Sequence, residues 1–451
     1  MTARRLICIA AILGGGCVPE VPVLPVDDSG GSTAAADSSA SAPTDTGSPT
    51  SADSTAADGE DTSTSTSGDT EATDTSDTET VDFCGRPEPA FAFAEPEVYE
   101  APPGAETFTE IAIGDIVAGQ PVATDLAVKD TVTPSILVYR GQGMMSGFVF
   151  EGAVPLVDNA SGVTIAELDE KAPAELIVLD RGNWAIYDDV GPGAMPIAAG
   201  SLPKGVTDSS SIIAADVFGD DTPEIAIHAG TDSPDSLWVL SDPLGSAQID
   251  GPFAAGNDSV RRLRSGDIDG DGRTDLLVVH PGWDGAVPGV DIAYNRSDAA
   301  PAFDVVPLTT AVTPTSVVAR DLNGDGRDDL VLTHAGTKIG DRLPDPLHVY
   351  LANKNGDLVL QTPIVEWSTA IAIDAGDFNC DGHQDLVVAL LDELVFIAGD
   401  GAGGFDPTDS HSIELGAIVG DLRVHDFNLD GRPDVVAGFA DDPVVYYFES
   451  A

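Results

Sequence analysis

Four times in its second half the chain repeats one loop, and no other feature limits its fold so tightly. The loop reads D-I-D-G-D-G-R-T-D-L-L-V-V from Asp267 to Val279. It returns from Asp321 (D-L-N-G-D-G-R-D-D-L-V-L), from Asp377 (D-F-N-C-D-G-H-Q-D-L-V-V) and from Asp426 (D-F-N-L-D-G-R-P-D-V-V-A). Oxygen-bearing side chains stand at positions 1, 3, 5 and 9 around a glycine turn. Such oxygens can converge on one hard cation, and Ca²⁺ takes about six to eight of them. An EF-hand opens the same way, but it needs a glutamate at position 12 and a helix on each side. Position 12 here is Val278, Leu332, Val388 and Ala437, and apolar β-formers follow the last acid. The loop therefore joins two strands.

Weaker versions precede these four. Aligned on the residue that opens each acidic loop, the starts are Asp115, Glu167, Asp216, Asp267, Asp321, Asp377 and Asp426, spaced 52, 49, 51, 54, 56 and 49 residues apart. Each unit has an apolar run on either side of the loop. A third run often ends in an aromatic (Tyr139, Tyr187, Tyr350, Phe448), and a weaker fourth follows. Four short strands repeated seven times at this period predict an all-β fold, a seven-bladed β-propeller.

At these residues the chain resembles the FG-GAP/VCBS repeats of integrin-α-like propellers, over residues 83–451. The resemblance implies calcium held by side chains at positions 1, 3, 5 and 9 and by the backbone carbonyl at position 7. The implied sites are Asp267, Asp269, Asp271, Arg273 and Asp275; Asp321, Asn323, Asp325, Arg327 and Asp329; Asp377, Asn379, Asp381, His383 and Asp385; and Asp426, Asn428, Asp430, Arg432 and Asp434. Oxygen-only ligation suits Ca²⁺ over zinc or copper. Packed carboxylates would splay an unneutralised hairpin, so the ion is expected to stabilise rather than catalyse. The earlier loops are expected to hold calcium weakly or not at all. Phe218 replaces a ligand between Asp216 and Glu224, and Lys171 takes position 5 between Asp169 and Glu175. Asp125 falls two residues late after Asp115.

Residues 1–16 read as an export signal, a basic start followed by a short apolar run too short to span a bilayer. The signal resembles that of a bacterial lipoprotein, with Cys17 as the lipidated residue, although Leu13 stands four residues before Cys17 rather than three, with Gly14 in its place. Ordinary secretion is the alternative. Residues 17–82 are Ser, Thr, Asp, Ala, Gly and Pro with no Lys or Arg, a composition that predicts a disordered linker. The expected location is the outer membrane or cell surface of a bacterium, held by the lipid anchor only. A net charge of −56 argues against a basic face for nucleic acid or anionic lipid.

The ends of the second strands lie opposite the acidic loops. His228, His280 and His334, with Trp283 and Trp367, are the candidate ligand face. Arg261, Arg262 and Arg264 fall on a first strand, near the central channel of a propeller, where they offset carboxylates or hold an anion. No Ser/His/Asp set or phosphate loop separates itself from the repeats. The reading is a monomeric, non-enzymatic module that binds an extracellular protein or glycan; the alternative is a propeller lyase or hydrolase acting on polysaccharide. The seventh unit ends without a fourth strand, so residues 89–99 are expected to supply it and close the ring. Of the four cysteines, Cys84 and Cys380 would then lie on one face in an oxidising compartment and form a disulfide.

Overall fold

The computed structural model describes residues 91–450, apart from 106, 118–122, 131–132, 157–159, 170, 192, 204–207, 221, 231–236, 256–261, 282–286, 298–299, 336–346 and 365–368. The signal, the linker, Cys8, Cys17, Cys84, Arg261, Trp283 and Trp367 lie outside the described residues. Within them the strands form seven four-stranded antiparallel sheets. Six are consecutive hairpins. The innermost strands are Phe108–Gly114, Gly162–Ala166, Asp208–Ala215, Arg262–Gly266, Thr313–Arg320, Ala372–Gly376 and Val419–His425, one for each blade in chain order.

Seven apolar clusters hold the ring, and each lies between two neighbouring blades. The second strand of the fourth blade, Asp275–His280, shows why its sequence is a continuous run rather than an alternation. Leu276 and Val278 pack towards the third blade, while Leu277 and Val279 pack towards the fifth. Both faces are covered, so every position is apolar, and each such side chain contributes about 1.5–3 kcal/mol by burial. One cluster joins the first blade to the seventh through Phe108, Ile111, Val436 and Tyr447. That contact makes the sheet series a closed ring.

Closure is completed by the N-terminal side of the ring. Glu97–Glu100 pairs antiparallel with Val444–Phe448, Glu97 opposite Tyr447 and Glu100 opposite Val444. The regular strand is shorter than the 89–99 run expected. Upstream, one bridge joins Phe93 to Ser450. Phe93 and Phe91 pack on Phe396 of the sixth blade, with ring centroids 4.4 and 6.0 Å away. The short strand is thus anchored by aromatics from the blade beside it.

Candidate metal centre

Every acidic loop connects the first and second strands of its blade. In the four complete loops the position 1 carboxylate gathers backbone N–H groups. Asp321 Oδ1 accepts from Gly324 and Asp325 at 2.8 and 3.1 Å, and its Oδ2 accepts from Gly326 at 2.9 Å. Asp267, Asp377 and Asp426 make the equivalent bonds to the residues at positions 5 and 6. This curl requires left-handed backbone. Gly270 and Gly324 at position 4 have φ of 70° and 73°, where glycine costs nothing. Cys380 and Leu429 occupy the same place at φ 63° and 62°.

Position 9 behaves differently from the others. Asp275 is fully buried; its Oδ2 accepts from the Ile268 N–H at 3.0 Å and its Oδ1 from the Asn295 N–H at 2.8 Å. Asp329 does the same with Leu322 and Ala352, Asp385 with Phe378 and Gly399, and Asp434 with Phe427 and Ser450. One carboxylate therefore ties the loop to the end of the third strand. Asp125 makes the same tie in the first blade, to Ile116, Val117 and Gly141, although its loop is two residues longer. Glu175 and Glu224 each accept at least the loop N–H, from Leu168 and Val217. The position 9 acid is a structural tie in addition to a candidate ligand, a role the spacing alone does not reveal.

The donor chemistry fits a hard cation. Carboxylate oxygens of Asp267, Asp269 and Asp275 all lie within 4.8 Å of one another. Asp269 Oδ1 and Asn323 Oδ1, both at position 3, are buried oxygens with no hydrogen-bond donor. A buried oxygen without a donor costs about 1–3 kcal/mol unless something positive faces it. Burial pushes the Asp275, Asp385 and Asp434 carboxyls up to about 7 and Asp329 up to about 6, against the pull of backbone N–H groups, and neighbouring loop carboxylates add to the rise. At position 3 of the later loops, Asn379 and Asn428 instead accept from the Asp381 and Asp430 N–H groups. At position 7 the N–H groups of Arg273, Arg327, His383 and Arg432 all bond the position 5 carboxylate.

Among the incomplete loops, the second departs furthest from expectation. Carboxylate oxygens of Glu167, Asp169 and Glu175 lie within 4.8 Å of one another, as those of the Asp267 set do. The Lys171 ammonium pairs with Asp169, so a side-chain cation sits beside these acids. In the third loop Asp216 still gathers the Gly219 and Asp220 N–H groups.

On the opposite side of the blades, His228, His280 and His334 do lie on the second strands, but they do not present a surface. They are 1%, 7% and 0% exposed. His280 Nε2 lies 3.3 Å from Asp291 Oδ1, and the His334 ring packs 4.4 Å from that of His348. Burial and the nearby His280 push the His228 imidazole down to about 3. Enclosed imidazoles belong to the blade walls, which corrects the expectation that these three form a ligand face. Cys380 is disulfide-bonded, and its partner lies outside the described residues.

An FG-GAP-like repeat profile matches residues 267–332, from the loop of the fourth blade through that of the fifth. No curated protein matches the sequence. Among solved structures, a chain of the crystal structure of BBS1N in complex with ARL6DN, soaked with lead, superposes with TM-score 0.53 at 12% identity, covering 80% of this chain and 97% of that one. An Agrocybe aegerita lectin, from a structure on specific recognition of non-reducing terminal N-acetylglucosamine, gives 0.50 at 15% identity over 76% of this chain and 86% of its own. Likeness at these identities concerns the fold. With the repeat matched over residues 267–332 and the ring in its structure, the chain is a seven-bladed β-propeller that carries FG-GAP-like repeat sequence.

Proposed function

We propose that this propeller is a calcium-stabilised binding module, displayed outside the cell, that recognises a protein or glycan. The observation that carries the calcium reading is the pair of donorless, buried oxygens at Asp269 and Asn323, set beside converging carboxylates. Positions 1, 3, 5 and 9 of the last four loops would hold the ion. Bound there, it would neutralise the loop carboxylates and so brace the turn. Acidic residues serve this framework, which leaves recognition to other surfaces of the ring. The FG-GAP repeat is typical of extracellular proteins, and the lectin with a similar fold recognises a sugar. Residues 1–17 support export, with Cys17 as the anchor.

A panel of glycans and extracellular proteins, probed with the intact chain in calcium and in EGTA, tests the reading. Saturable binding that is lost in EGTA is the expected result. Binding to no member of the panel, together with cleavage of a polysaccharide, would replace it with the enzymatic reading.

A further inference from the structure

The innermost strands of all seven blades enclose a central cavity of about 280 Å³. Its charge contradicts the rest of the molecule. The chain carries a net −56 with 20 Lys and Arg in total. Yet Arg264, Arg320 and Arg423 line this cavity, with Glu110 and Asp374 as its acidic lining groups. Behind them stand Lys129, Arg262 and Asp421.

The ion pairs do not balance. Lys129 pairs with Glu110 at 2.8 Å. Arg320 Nη2 is 3.8 Å from Asp374 Oδ1, which also accepts the Ala375 N–H. Asp421 is fully buried and is shared by two cations, Arg423 at 2.8 Å and Arg262. Arg262 reaches it from the fourth blade, across the ring, and also donates to the Gly420 carbonyl. Among the described residues Arg264 has no carboxylate partner; one Nη1 N–H bonds the Leu263 carbonyl at 2.9 Å. Among the described residues five cations thus face three carboxylates, an excess of two positive charges.

A guanidinium has five N–H donors, and Arg264 commits one to protein. Burial, then the nearby Arg423 and Arg262, push its pKa down to about 9 against the pull of Asp421 and Asp374. Arg320 and Arg423 likewise each turn one N–H back onto the preceding carbonyl, which keeps their forks against the wall. Arginine forks match oxyanions bidentately, and low-dielectric walls focus their field into the cavity.

We propose that the central cavity binds one compact, doubly charged oxyanion of the sulfate or hydrogen phosphate class, held by Arg264 and Arg423 with Arg320 at its edge. The site is independent of the loops and of any surface ligand.

Titration calorimetry of the intact chain with sodium sulfate, against sodium chloride at equal ionic strength and with calcium present throughout, tests this. One saturable site for sulfate is expected, with a rise in melting temperature that chloride does not give. Arg264→Gln should weaken sulfate binding by about tenfold or more, a loss of about 1.4 kcal/mol. Arg140→Gln, on the outer part of the first blade beside Glu151, should leave it unchanged. Arg264→Met serves the same purpose if the glutamine variant misfolds. No saturable site in the unaltered protein, equal effects of sulfate and chloride, or undiminished binding in the Arg264 variants would each overturn the proposal.

Discussion

The loops of blades one to three depart from those of blades four to seven within the turn, with Phe218 at position 3 of the third and Lys171 at position 5 of the second, and agree in the acid that closes the loop, set two residues later in the first. In the later blades one acid both ties strands and stands among candidate ligands. In the first blade Asp125 keeps the tie alone, and the second loop has Lys171 at position 5, where the later loops have an aspartate. Two functions that look like one in the repeat are therefore separable. The tie belongs to the blade, and the ion belongs to the loop.

The largest effect that could break this separation comes from position 9. Asp125→Ala strands the N–H groups of Ile116, Val117 and Gly141, and Asp329→Ala strands those of Leu322 and Ala352. At about 1–3 kcal/mol for each buried unsatisfied group, both should cost about 3 kcal/mol or more in urea denaturation. The Asp125→Ala loss should be the same in calcium and in EGTA. The Asp329→Ala loss should be larger in calcium, because that variant also forfeits an ion. Equal calcium dependence in both would merge the two roles again.

Next in size is calcium itself. Native mass spectrometry should count about four tightly bound ions, and EGTA should lower the melting temperature well beyond the effect of added salt. A ligand at a hundredfold over its Kd stabilises by about 2.7 kcal/mol per site. Asp325→Ala should remove one ion, whereas Lys171→Asp should add one, because Glu167, Asp169 and Glu175 already converge. A count that ignores Lys171→Asp would mean that convergence of the acids is not enough.

A smaller effect is the pH dependence of the tie that has no ion in its proposed role. Burial pushes Asp125 up to about 6, although the Gly141, Ile116 and Val117 N–H groups oppose the rise. Its folded pKa lies above the unfolded value of about 3.9. The native state therefore holds more protons between these values, and stability falls as pH rises from about 4 to about 6. Asp125→Asn should flatten that window in calcium-containing buffer; an unchanged slope would assign it to other groups.

The smallest effect is conformational. Leu429 holds a left-handed backbone at φ 62° with its side chain 48% exposed. Leu429→Gly should stabilise the seventh blade by about 1 kcal/mol, while Gly324→Leu at the equivalent place should cost about 1–2. Thermal melts of the two variants check both signs.

The ring was legible because each unit writes its own strands and turn, and because the last unit lacks a fourth strand that Glu97–Glu100 supplies. Position 9 was legible as an oxygen at the right spacing. Whether that oxygen meets a cation or the Asn295 N–H depends on the third strand, twenty residues away. The spacing puts the histidines on the second strands, but their burial depends on partners such as His348, from the next strand. The sequence puts Arg262 near the channel with two roles open, offsetting carboxylates or holding an anion. Its partner Asp421 lies 159 positions later, and only closure of the ring brings the two together. The left-handed Cys380 and Leu429 could have been found by aligning them with Gly270 and Gly324.

The disulfide at Cys380 also fixes where the ring meets a mechanical load. The three other cysteines, Cys8, Cys17 and Cys84, all precede Phe91, so tension carried by the chain before the bonded one passes into the sixth blade at Cys380. The Phe93–Ser450 bridge and the four residues Glu97–Glu100, which hold the outer edge of the seventh blade, stand out of that line of pull. Reduction of the bond would hand the load to this edge strand, which would then be a fuse that yields before the rest of the ring.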